Sequence, residues 1–82
     1  MNDRSNAIVA AYLDGMKARY AWAQGDTPVA RKGLEAGAFA ARNACAGKIK
    51  LEGEAWTEAV RKAGYVGPMT KAGIAAFCSG GD

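Results

Sequence analysis

Small residues recur at three- and four-position spacing in two successive stretches of this chain, Ala11-Gly15-Ala18 and Gly33-Gly37-Ala41, and that spacing limits the fold more than any other feature. Residues three and four apart share one face of an α-helix, so each stretch draws a smooth ridge along a helix surface. A glycine inside a helix costs about 1 kcal/mol relative to alanine, so Gly33 and Gly37 call for a compensating contact. Close approach of another helix is the natural one, and the ridge Ala11, Gly15, Gly33, Gly37 and Ala41 predicts two helices packed as an antiparallel hairpin. A homodimer could use the same ridge. In lipid the pattern would pair membrane helices, but Lys17, Arg19, Arg31, Lys32 and Arg42 exclude a spanning segment.

The surrounding residues set the expected limits of the helices. After Ser5, a plausible N-cap, Ile8, Val9, Tyr12, Leu13, Met16 and Tyr20 follow the helical period, which predicts a first helix over 6–24 that stops at Gly25-Asp26. Thr27-Pro28 is a cap followed by a favoured first position, and a second helix is expected to reach about Ala46, with Ala30, Leu34, Ala38, Ala41 and Cys45 inward and Gly47 as its stop. The alternation in 48–53 is too short to make a sheet without a partner strand, so it reads as a connector whose Ile49 and Leu51 plug into the core. A third helix is expected from Glu54 through Trp56, Ala59, Val60 and Ala63 to Gly64, and a fourth from Met69 to Cys78, across the turn Tyr65-Val66-Gly67-Pro68. The reading is all-α: a long antiparallel hairpin (6–46), a helical corner of two shorter helices (53–78) and a frayed tail (79–82), all in one domain of 82 residues.

Composition bounds the chemistry. The chain contains no His, the commonest general base and metal ligand, and its two cysteines, Cys45 and Cys78, lack metal-ligand or redox-motif spacing. They read as buried free thiols. No phosphate-binding glycine loop occurs, and Glu54 and Glu58, which share a helical face, read as surface acids with Glu58 spaced to pair with Lys62. No catalytic residue, cofactor or metal is therefore expected. With no long apolar run and no signal-like start, the expected location is the cytoplasm, away from membranes.

Function then rests on binding. The net charge of +3 is scattered rather than gathered into a stripe, so it permits contact with nucleic acid or an acidic protein without demanding it. Trp22, Tyr20 and Tyr65 are the large side chains expected to be wet. Trp22 lies near Arg19, Arg31 and Lys32 around the hairpin turn, which is the composition of an interaction hot spot; it could equally cap the open end of the hairpin core. Lys62, Tyr65 and Lys71 form a second candidate surface on the helical corner. That corner invites comparison with a helix-turn-helix regulator, but its last helix offers only Thr70 and Lys71 near its start, with no Arg, Asn or Gln to grip a base.

The C-terminal third also carries Leu51-Glu52-Gly53-Glu54-Ala55-Trp56, Arg61-Lys62-Ala63-Gly64-Tyr65 and Thr70-Lys71-Ala72-Gly73-Ile74-Ala75-Ala76-Phe77. These segments resemble a pattern in small uncharacterised proteins of bacteriophages and prophages, L-D-G-x-A-F, K-x-L-G-I and T-x-K-A-I-x-A-F/Y, from which the chain departs at Trp56 and at Gly67-Pro68. The resemblance implies a phage or mobile-element origin with no activity attached. Small phage proteins of this kind often bind and divert host machinery. The leading expectation is thus a non-enzymatic accessory protein that docks onto a host protein or complex in the host cytoplasm, as an anti-defence (anti-CRISPR-like) inhibitor; the alternative is the small DNA-binding regulator.

Overall fold

The computed structural model describes residues 2–80. Among them it is all-helical: α1 (Asp3–Arg19), a 3₁₀ turn (Ala21–Ala23), α2 (Pro28–Cys45), α3 (Glu54–Lys62) and α4 (Lys71–Cys78). The hairpin and the two shorter helices of the sequence reading are present. Met16 lies against Gly37 and Ser5 beside Cys45, so α1 and α2 run antiparallel.

Local chemistry explains most helix ends. The Thr27 hydroxyl accepts from the Ala30 N–H at 3.0 Å and Thr70 does the same for Gly73, each satisfying an orphan donor of the first turn. Gly47 and Gly64 stop α2 and α3 as expected. Both sit at positive φ, 77° and 108°. At the first stop Lys48 donates back to the Asn43 carbonyl and Gly47 to that of Ala44; at the second Tyr65 donates to Val60 and Gly64 to Arg61, a closure that needs the left-handed conformation.

Besides α4, which starts at Lys71 rather than Met69 because Thr70 caps it, three limits differ from the sequence reading. Asn2, not Ser5, caps α1: its Oδ1 accepts from the Ser5 N–H at 2.8 Å, so the helix starts three residues earlier than expected. The Ser5 hydroxyl is spent elsewhere, donating to the Cys78 carbonyl at 3.2 Å, with Asn2 Nδ2 donating to the same oxygen at 2.6 Å and Arg4 to the Phe77 carbonyl at 2.9 Å. The start of α1 thereby adds donors to the last two carbonyls of α4. Second, α1 ends at Arg19, because Tyr20 is extended (φ −118°, ψ 122°) and the following 3₁₀ turn carries Trp22 across to α2. Third, Ser79 and Gly80 are not frayed: their N–H groups donate to the Ala75 and Phe77 carbonyls. Gly81 and Asp82, the rest of the expected tail, lie outside the described residues.

One core unites the helices. Ile8 and Val9 of α1, Ala38, Ala41 and Cys45 of α2, Trp56, Ala59 and Val60 of α3, and Ile74 and Phe77 of α4 pack together. Because α2 contributes mostly alanines, it lies close to its neighbours, and Trp56 supplies the bulk; Tyr12 meets its ring edge-to-face at 5.5 Å. Leu51 of the connector packs against this core as expected, while Ile49 stays 38% exposed.

The small-residue ridges do not face each other. A Cβ on Gly15 would lie 3.3 Å from the Ala55 Cβ, so the Ala11-Gly15-Ala18 stripe receives α3 rather than α2. The reason is geometric: consecutive residues step about 100° around a helix, so the stripe of Gly15 and the stripe of Met16 cannot both face the same partner. Gly37 is compensated by Met16, whose Sδ would stand 2.7 Å from a Cβ placed there. Gly33 is compensated by the Trp22 ring. All three glycines are thus covered from within the chain.

Candidate functional site

The residues singled out from the sequence fall on separate parts of the surface. Trp22, Arg31 and Lys32 belong to the hairpin end, on the 3₁₀ turn and the first turns of α2; Arg19 and Lys62 belong to the flank between α1 and α3; Tyr65 and Lys71 belong to the helical corner.

At the tip, the extended Tyr20 and the 3₁₀ turn set two aromatic rings side by side. Tyr20 and Trp22 stack with centroids 5.5 Å apart and planes within 12°. Trp22 rests on Gly33, where the missing side chain lets the indole approach the backbone; its Cη2 and Cε3 would stand 2.8 and 2.9 Å from a Cβ there. The two sequence readings of Trp22 therefore both describe it: it covers the end of the hairpin, and it is still 41% exposed, with Tyr20 at 45%. A ring seated on backbone and held by a second ring loses little entropy when a partner covers it.

The charges around this platform are mostly available. Arg31 approaches Asp26 at 3.5 Å, but both side chains are largely in water, where such a pair contributes little. Lys17 and Lys32 are exposed and have no ion-pair partner among the described residues. Arg19 does not belong to the site. Its guanidinium turns across to α3, donating to Glu58 at 2.6 Å and lying 3.9 Å from Glu54. The expected Glu58–Lys62 pairing is thereby replaced by a contact between helices, because the close Gly15–Ala55 approach brings Arg19 over the α3 face.

This contact holds the Glu58 carboxyl below its ordinary value of 4.5, chiefly through the Arg19 hydrogen bond and charge, with Lys62 a lesser contributor. A carboxylate lowered on folding adds stability at pH above its unfolded pKa and loses it as the pH falls through the folded one. The melting temperature should therefore drop on acidification below about pH 4.5 more steeply in the native protein than in Glu58→Gln, as followed by circular dichroism. Parallel pH profiles for the two proteins would refute the linkage.

At the corner, Tyr65 is half-buried rather than wet. Its ring packs on Phe77 with centroids 5.2 Å apart, its hydroxyl donates to the Pro68 carbonyl, and Arg61 donates to the carbonyls of Tyr65 and Gly67. These bonds rigidify the α3–α4 connection. The outer face of α4 is Lys71, Ala72 and Ala76, small residues with a single charge. Sequence reasoning also missed Phe39 and Val66, which are 66% and 89% exposed. For Phe39 the signal was present, since it falls outside the α2 stripe of Ala30, Leu34, Ala38, Ala41 and Cys45.

No protein-family model, no curated protein and no solved structure matches this chain.

What the described residues can do chemically follows from their environments. Cys45 and Cys78, far apart in sequence, are brought together with both thiols free and buried. Burial first, and then the neighbouring Cys78 thiol, pushes Cys45 up to about 12, so at neutral pH it is a thiol rather than a nucleophilic thiolate. No cluster of metal-ligating side chains occurs among the described residues, and no helix there is long and apolar enough to cross a membrane.

Proposed function

We propose that this chain is a non-enzymatic accessory protein of a phage or mobile element that docks onto an acidic surface of a host protein through the hairpin tip, as a stoichiometric inhibitor. The observation that carries the reading is the stacked Tyr20–Trp22 pair seated on Gly33, at the end of the hairpin whose flanking helices also expose Lys17, Arg31 and Lys32. Aromatic rings supply most of the energy of small interfaces, and surrounding cations select and steer an acidic partner. An anti-defence, anti-CRISPR-like target in the host cytoplasm is the specific form of this proposal; it draws on the resemblance of the C-terminal third to small phage proteins. The DNA-binding alternative finds less in the geometry. Arg61 is engaged in bonds to its own loop, and α4 presents Lys71 with two alanines where a recognition helix would carry base-contacting side chains.

The test is an affinity capture from host lysate, with and without nuclease, using the native chain and Lys32→Glu. The expected result is a specific acidic protein retained after nuclease treatment and lost with Lys32→Glu. Capture that vanishes with nuclease, or survives the charge reversal unchanged, would overturn the proposal.

A further inference from the structure

The outer face of α2 carries an arrangement that nothing at the hairpin tip explains. Ala30, Gly37, Ala41 and Cys45 mark the buried side of this helix, and with about 100° per residue the opposite pole is Phe39. A phenylalanine 66% exposed at the outermost line of a helix keeps most of its ring in water. One helical turn before it on the same face stands Glu35, and one turn after it stands Arg42. Both are exposed, and neither has an ion-pair partner among the described residues.

The order carboxylate, aromatic ring, guanidinium is its own complement when reversed. Turning a second copy by 180° about an axis through the middle of the stripe sets Glu35 opposite Arg42 of the second copy. Arg42 then meets that copy's Glu35, and the two Phe39 rings meet between them. In this register Lys32 comes opposite the Cys45–Ala46 end of the second α2, which carries no charge, so no like charges face each other. A surface that pairs with itself under a two-fold rotation is what an isologous interface requires.

We propose that the chain forms a two-fold homodimer by antiparallel pairing of α2 with α2 of a second copy, through Phe39 and reciprocal Glu35–Arg42 ion pairs. A single pair of helices buries less than the roughly 1,600 Å² of a standard interface, so the dimer is weak, with a dissociation constant on the order of 100 µM. Each tip precedes the start of its own α2, so the two Tyr20–Trp22 platforms project from opposite ends of the paired helices. The dimer is thereby bivalent toward any partner the tip binds. It does not depend on what that partner is.

Sedimentation velocity over a concentration series tests the pairing, with circular dichroism to show that each variant stays folded. Glu35→Arg and Arg42→Glu each place like charges across the axis twice, and each alone should weaken self-association at least tenfold. The two single variants mixed together have complementary stripes, and the mixture should associate about as tightly as the native chain. Phe39→Ser should also weaken the dimer at least tenfold. A native chain that stays monomeric to about 1 mM overturns the proposal. Single reversals without effect, or a mixture no tighter than its components, overturn it equally.

Discussion

Replacing Trp56 with alanine is expected to lower the melting temperature by more than about 12 °C and to leave much of the chain unfolded at 37 °C. Trp56 is 1% exposed, the largest fully buried side chain, and it stands where α1, α2 and α4 converge on α3. Deleting a buried aromatic costs about 3–5 kcal/mol, and the cost is highest where neighbours cannot collapse into the space. The core around it is rich in alanine, with Ala38, Ala41, Ala44 and Ala59 in the same cluster, and these have no length with which to fill the space. A domain of this size holds only about 4–12 kcal/mol in total, and one with so thin a core belongs near the lower end. Trp56→Phe keeps the ring against Tyr12 and should cost much less. Thermal melts by circular dichroism decide the matter; a Trp56→Ala protein within about 4 °C of native would show that the core does not depend on this ring.

The second large effect separates binding from stability. Gly33→Ala should weaken partner capture by about 10- to 100-fold while leaving the melting temperature within about 4 °C of native. The added methyl meets the Trp22 ring at its Cζ3, Cη2 and Cε3, and an indole stacked with Tyr20 has no short movement that relieves the contact. Trp22 must therefore lift away. Stability changes little, because alanine regains about 1 kcal/mol of helix propensity while the displaced ring gives up a comparable amount of packing. In a Trp56→Phe background, Trp22 is the sole tryptophan, and its emission should move to longer wavelength in Gly33→Ala as the indole enters water. An unchanged spectrum would show that α2 yields instead of the ring, and retained capture would show that the platform is not the docking site.

The two Trp positions illustrate how unevenly this protein is legible. Trp56 was placed inward from its spacing with Ala59, Val60 and Ala63, which is a local pattern. Trp22 could be read both as a lid on the hairpin and as a wet anchor, because its environment is made by Gly33, eleven positions on, and by the break at Tyr20, which no strong breaker residue announces. Arg19 shows the same limit for charges. Its neighbours in sequence suggested the basic tip, whereas Glu58, 39 positions away, holds it on the flank of α3.

The sequence by itself determined the helical class, the number and order of the four helices, the cap at Thr27, the stops at Gly47 and Gly64, and the inward residues of α3 and α4. These follow from hydrogen bonds and side-chain neighbours within about four residues, so their causes lie inside each segment. Tertiary structure decided which faces meet. Gly15 went to α3, Gly33 to Trp22 and Gly37 to Met16, the start of α1 bound the end of α4, and Phe39 was left outside. A ridge of small residues permits close approach but does not name its partner. Trp56 shares one core with residues of three other helices, and that packing runs over contacts that no single segment contains.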